Sequence, residues 1–185
     1  MPYRIPTGRL LLLTVLSYGI FLYYWFYLTW RQYQDHTGKR VFPVWHTLAL
    51  GVPIYGLYRT HAHMDSYNRL MRQTGQSTPI NAPLTVALML ISVVLSTVSF
   101  LASGAVPGIE FQGVQGVLMK LGFDVLAIAT ATVLLIHVQP KLNSYWIGLP
   151  EVQTSNARLG SGEITCLVIG ILAWTSAVIS LSAAG

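Results

Sequence analysis

GVLMKLGFDVLAIATATVLLIH, residues 116–137, is the stretch whose reading decides the fold. At about 1.5 Å per residue it reaches ~33 Å, enough to cross the ~30 Å hydrocarbon core of a bilayer. It carries one carboxylate, Asp124, near its middle. A charge at that depth costs roughly 2.5–3.5 kcal/mol on insertion scales, so it needs a partner or a role. Lys120 stands one turn earlier, an i,i+4 pair in the weaker orientation. Its ammonium can snorkel to the headgroups while Asp124 stays deeper. Gly113, Gly116, Lys120, Asp124, Ala127 and Ala131 share one helix face, so the carboxylate is expected to point into a bundle. Two readings follow. Asp124 is a protonatable or cation-binding site, or it is a structural carboxylate satisfied by Lys120 and the serines of a neighbouring span.

Composition supplies the surroundings. Of 185 residues, 53% are hydrophobic and only 9% charged, and the mean hydropathy is +0.54. Soluble domains carry about 25% charged residues, so this surface suits lipid better than water. The expected fold is an all-α, polytopic membrane helix bundle in one domain, with four or five transmembrane helices and cytoplasmic helical extensions. The net charge of +5 comes from Lys and Arg scattered between apolar runs. That pattern points to the lipid bilayer and its anionic headgroups as partner, and away from nucleic acid. Cys166 is the lone cysteine, which excludes an intrachain disulfide and a Cys-based metal cage.

The spans are expected at about 9–30, 41–58, 84–103, 115–137 and 162–183. The first follows Arg4 and Arg9 like a signal peptide, but no small-x-small cleavage site follows it. Its second half holds Tyr23, Tyr24, Trp25, Phe26, Tyr27, Trp30 and Tyr33, expected as an interfacial aromatic belt, with a ligand or lipid pocket as the alternative. Residues 41–58 contain Pro43, Gly51 and Pro53, so they form either a kinked span or a re-entrant hairpin. Polar extensions follow Tyr58 and His137, the latter running past Pro140. Gly38 and Gly75 are helix stops, and Asn81 with Pro83 starts a helix. Residues 104–113 and 148–160 are loops. Five spans with the N-terminus inside place seven Lys and Arg in the cytoplasm and four outside; a re-entrant 41–58 changes this to eight and three.

Small residues mark packing faces. Ser92, Ser96, Ser99 and Ser103 share one face of the third span. Cys166, Gly170, Ala173, Ala177, Ser180 and Ala184 form a heptad-like seam on the last.

Two segments align at an offset of 37: YGIFLYYWFYLTWRQYQDHTG from Tyr18 and YGLYRTHAHMDSYNRLMRQTG from Tyr55. Tyr18, Gly19, Thr37 and Gly38 match Tyr55, Gly56, Thr74 and Gly75. Chance likeness between aromatic-rich helices is the alternative to a true repeat. The order SYGIFLYYWFYLTWRQYQDHTG, then FPVWHTLALGVPIYGLYRTHAH, resembles small bacterial polytopic membrane-protein families of unknown function with a GIY-x-x-YWFY first span. The resemblance covers residues 10–75. It implies the bacterial cytoplasmic (inner) membrane and brings no activity, cofactor or catalytic residues.

The remaining chemistry is sparse. His61 and His63 are two apart and point to opposite sides of a helix, unlike an i,i+4 metal pair. His137 lies on the same membrane side, and His46 can reach a haem or chlorin from within the bilayer. Asn68 and Asn143 are placed to cap or bridge the two extensions. There is no Gly-rich phosphate loop, HExxH, GxSxG or carboxylate cluster, so no enzyme is expected. The cofactor stays unknown. The expected function is a non-catalytic accessory or structural subunit packing against another membrane protein or a copy of itself. The alternatives are a small proton- or cation-coupled transporter or channel using Asp124, and a haem- or chlorin-binding subunit.

Overall fold

A computed structural model of the chain describes residues 3–75, 79–103, 113–150, 155–156 and 159–184. Among these, α-helices dominate: α1 (Thr7–Leu16), α2 (Phe21–Thr37), α3 (Pro43–Leu48), α4 (Pro53–Gln73), α5 (Ala82–Ala102), α6 (Gly113–Ile147) and α7 (Ser161–Ala184). A two-residue strand β1 (Tyr3–Arg4) pairs in parallel with β2 (Ser155–Asn156). Three helices, α5, α6 and α7, are long and apolar enough to cross a membrane. Where the sequence leads one to expect four or five, the described residues hold these three. Most of the expected 104–113 and 148–160 loops, including Pro107, Glu110 and Arg158, lies outside the described residues, as does the turn at 76–78.

The frame is α5 lying along α6. Helix α5 starts where its sequence signal sits, with Asn81 Oδ1 accepting from the Leu84 amide at 3.0 Å and Pro83 in the first turn. Helix α6 runs on through Pro140 to 35 residues, about 52 Å at 1.5 Å per residue, well beyond a ~30 Å hydrocarbon core. Its last turns join α2 and α4 in a packed head. Trp25, Phe26, His63, Tyr67 and Tyr145 are all buried there, as are Trp30 and Trp146. Of the aromatics of 23–33, Trp25, Phe26, Trp30 and Tyr33 therefore belong to the core. Trp25 and Phe26 are fully enclosed, whereas Tyr23 is 42% exposed.

Residues 9–30 do not form one continuous helix. The helix breaks at 17–20, where Tyr18 (φ 57°) and Gly19 (φ 83°) are both left-handed. Two such residues in succession reverse the chain; glycine does so freely, whereas Tyr18 bears a cost of about 1–2 kcal/mol. Helix α6 measures the reversal. The Ile5 carbonyl accepts from Asn143 Nδ2 (2.9 Å), the Tyr18 hydroxyl donates to Asp124 (2.5 Å), and Trp25 Nε1 donates to Gln139 (2.5 Å). Along α6 the chain thus descends from the level of residue 143 to 124 and returns to 139. The α1–α2 unit is a helical hairpin with its tip at Tyr18.

Residues 41–58 also turn back. In a straight helix His46 and Arg59 would lie ~20 Å apart. Instead the Arg59 guanidinium donates to His46 Nδ1. Both pack on Trp30, the imidazole at 4.8 Å and the guanidinium at 5.4 Å from its ring. A 3-10 turn at Ala49–Gly51 and the extended Val52 make the bend. Gly56 fits under it, where a Cβ would come within 2.8 Å of the Leu50 carbonyl oxygen. The segment thus folds as a helical hairpin.

The hairpins echo each other. Each returning helix meets a left-handed glycine, Gly38 (φ 66°) or Gly75 (φ 72°). Positions 37 apart are buried together: Phe26 and His63, Thr29 and Ser66, Trp30 and Tyr67, Tyr33 and Leu70. They also touch, with His63 against Phe26 and Trp30, and the Tyr67 hydroxyl donating to the Thr29 carbonyl at 2.7 Å.

Candidate functional site: a carboxylate between two cavities

Asp124 faces inward on α6 and is 9% exposed. Three donors reach it. Lys120 Nζ lies 2.6 Å from Oδ2, the Tyr18 hydroxyl 2.5 Å from the same oxygen, and the Ser99 hydroxyl 2.5 Å from Oδ1. Lys120 and Ser99 come from the helices on which the sequence places them. Tyr18 comes from the tip of the first hairpin and was not foreseen; the signal was a tyrosine–glycine pair in the middle of an apolar run. The Tyr18 ring is held edge-on by Trp174 of α7 at 4.8 Å. Trp174 Nε1 also donates to the Val15 carbonyl (2.9 Å), which the bend exposes. Ser17 Oγ in turn accepts from the Phe21 amide (2.9 Å), so the break leaves few backbone groups stranded.

Two cavities meet at this cluster. The larger, about 390 Å³, lies between α5, α6 and both hairpin tips. Gly19 and Ile20 line it from one tip, and Leu50, Gly51 and Pro53 from the other. Ser92, Ser96 and Thr97 supply hydroxyls, and Asp124 with Tyr18 supplies one wall. The smaller, about 200 Å³, lies between α6 and α7 and is bounded by Lys120, Asp124, Tyr18, Ala173, Ser176, Ala177 and Ser180. Asp124 and Tyr18 belong to both.

The small-residue faces are used within the chain. Ser92 Oγ donates to the Ala127 carbonyl (3.3 Å), and Ser99 binds Asp124. Ser96 is exposed towards the larger cavity, and Ser103 caps its own helix through the Phe100 carbonyl. Gly170 touches the first hairpin so closely that a Cβ would fall 2.2 Å from Ser17 Cα. Gly162 similarly abuts the Tyr24 ring, and Cys166 is buried between these glycines. Beyond Gly170 the seam opens, and Ala173, Ala177 and Ser180 face the smaller cavity.

His46 and His63 meet on the Trp30 ring, at 4.8 and 4.3 Å, whereas His36 Nε2 lies 2.9 Å from the Tyr145 hydroxyl. His46 binds Arg59. His63 is fully buried, with Nε2 3.0 Å from Thr29 Oγ1 and Nδ1 without a partner. His61 is exposed, and His137 is partly buried with an unpartnered Nε2. No group of three or more His, Cys, Asp or Glu among the described residues is arranged to hold a metal. Burial, together with the Arg59 guanidinium and His46, holds the His63 imidazole well below its ordinary pKa.

Asn68 grips Ile80 by both backbone groups, donating to its carbonyl (2.8 Å) and accepting from its amide (2.7 Å). Asn143 joins α6 to Ile5 and also accepts from Gln139 Nε2 (2.8 Å). A second charged contact also escaped sequence reading: Arg9 to Glu163 at 2.6 Å. Glu163 also accepts from the Gly160 amide (2.8 Å), half of a capping box at the start of α7. Set beside models of known protein families, characterised proteins and solved structures, the chain matches none of them.

Proposed function

We propose that the protein is a small proton- or cation-coupled transporter or channel of the bacterial cytoplasmic membrane, with Asp124 as its ion-handling group. One observation carries the reading: both hairpin tips and an ion-paired carboxylate line the same cavity. Irregular backbone within a bilayer is tolerated only where protein buries it or where it lines a cavity. Broken helices around a midplane site are a recurring means of binding ions and substrates in transporters. The bacterial location is what the sequence resemblance implies.

The topology proposed with it has three crossings, α5, α6 and α7, and two re-entrant hairpins entering from the head side. Among the described residues the head side then holds Arg4, Arg9, Arg31, Lys39, Arg40, Arg59, Arg69, Arg72 and Lys141, and the other side Lys120 alone. That imbalance is far steeper than either count drawn from sequence, and it supports a cytoplasmic head.

Reconstituted into liposomes, the protein is expected to conduct a proton- or cation-dependent flux that Asp124→Asn abolishes. No flux in the wild type, or full flux in the variant, overturns the reading. The alternative, a non-catalytic accessory subunit, drew on small-residue faces free to meet a partner. Internal contacts at Ser92, Ser99, Gly162 and Gly170 weaken that support. A stoichiometric partner chain co-purifying from the native membrane would restore it.

A further inference from the structure

We infer that the larger cavity binds a lipophilic primary amine, whose ammonium group replaces that of Lys120 on Asp124. This rests on the transport reading of the Asp124 centre and names its substrate class. The cavity is amphipathic in a particular way. Its volume of about 390 Å³ lies within the ~300–1,000 Å³ usual for small-molecule sites. Most of its wall is apolar, including Leu22, Met89, Val93 and Ile128, and among the described residues its only charged group is Asp124. Ligand chemistry of that kind is an apolar body ending in one cation.

The resident occupant shows which cation fits. Lys120 places an ammonium 2.6 Å from Asp124 Oδ2, approaching from the smaller cavity. A primary ammonium has three donors to place. The larger cavity's lining offers it the Asp124 carboxylate and, as further acceptors, hydroxyl oxygens such as those of Tyr18 and Ser96. A second cation beside Lys120 would be repelled, so binding requires exchange. Lys120 can leave: its side chain is 33% exposed, and its stem is long and flexible enough to carry the ammonium away to a polar boundary. Thr97 and Phe100, both exposed, lie at the cavity edge on α5 and give an amphiphile lateral entry.

The test is equilibrium dialysis of radiolabelled 4-phenylbutylamine against the purified full chain in detergent at pH 7.5, with the neutral isostere 4-phenylbutanol as competitor. Saturable binding is expected, displaced by unlabelled amine and not by the alcohol. Asp124→Asn should weaken it at least tenfold. Lys120→Met, which removes the resident competitor, should tighten it at least threefold, a gain that damage to the fold does not produce. Equal displacement by the alcohol, or unchanged or weaker binding in Lys120→Met, overturns the inference. Failure of amine binding beside an Asp124-dependent flux of protons or metal ions overturns the amine and leaves the transport reading standing. Saturable amine binding without any flux in liposomes keeps the site and overturns transport.

Discussion

The head and the cavity region are built from overlapping helices, yet they fill the space between them in opposite ways. In the head, α2, α4 and the end of α6 meet through Trp25, Trp30, Tyr67, Tyr145 and Trp146, with ring centres 4.9–6.3 Å apart where the rings of Tyr67, Tyr145 and Trp146 touch. One chain of its polar atoms is tied in series, Trp25 Nε1 to Gln139, Gln139 to Asn143 and Asn143 to the Ile5 carbonyl, while Trp30 Nε1, Trp146 Nε1 and His63 Nδ1 are buried without a partner. Two turns away along α6, the interface is made of Ser92, Ser99, Ala127 and Ala131, and the hairpin tips stop short of closing it. Large rings on long helices interlock in the head; small side chains around two chain reversals leave about 390 Å³. The comparison separates a part that holds the molecule together from a part that can accept something.

The largest expected effect tests the first half of that contrast. Trp25→Ala removes a fully enclosed indole and strands the Gln139 carbonyl oxygen. It should cost about 3–5 kcal/mol and lower the thermal midpoint in detergent by roughly 10 °C. A midpoint within about 2 °C of the wild type would mean that the head is not where stability resides.

A matched pair on α6 makes a sharper comparison. Leu134 has no exposed surface, whereas Ile128 lines the cavity. Truncating either to Ala removes the same number of carbons. Leu134→Ala should cost about 3–4 kcal/mol and Ile128→Ala about 2, since Ile128 already lacks neighbours on one side. Equal losses in paired denaturation curves would erase the distinction between the two regions.

The smallest effect concerns pH. His63 lies in the head, outside the three apolar helices, and its folded-state pKa is depressed by burial first, then by Arg59 and His46. Above about pH 6.5 the ring is neutral in both folded and unfolded chains and contributes no pH dependence. As pH falls below that value, the unfolded chain takes up a proton that the folded chain refuses. Stability therefore declines, by at most about 1.4 kcal/mol per pH unit from this group. Unfolding measured from pH 7.5 to 5 should show that decline, and His63→Phe should flatten part of it. An unaltered slope in the variant would show that the cage admits the charged ring.

Asp124 was legible in the sequence because helix periodicity is a local property. The spacing of Gly116, Lys120, Asp124, Ala127 and Ala131 placed it on an inward face, and the spacing of the serines brought Ser99 within reach. The hairpins were not legible for the opposite reason. Hydropathy measures whether residues 9–30 suit lipid, not whether the chain continues or returns. Its direction is decided by two left-handed residues, Tyr18 and Gly19, and by contacts with Asp124, Gln139 and Asn143 more than a hundred positions later. For the same reason the aromatics after Tyr23 suggested a belt: their preference for an interface is real, but helix α4 covers them first. In residues 41–58, Gly51 and Pro53 announced a break without giving its sense, which the Arg59–His46 contact reveals.

The first hairpin is seated by the last helix, through Arg9 on Glu163, Ser17 on Gly170 and the Val15 carbonyl on Trp174. Arg9 and Glu163 are 154 positions apart. At synthesis rates of about 5–20 residues per second, the two ends emerge roughly 8–30 s apart. For that interval α1, whose ten residues extend only about 15 Å, has neither the length to cross a bilayer nor its final groove to occupy. The first hairpin therefore gains these contacts only after α7 has been made. Truncation before α7 would remove more than one helix, because it would leave the Tyr18 tip, and with it one wall of the cavity, without Trp174 and Gly170 and held through Asp124 on α6.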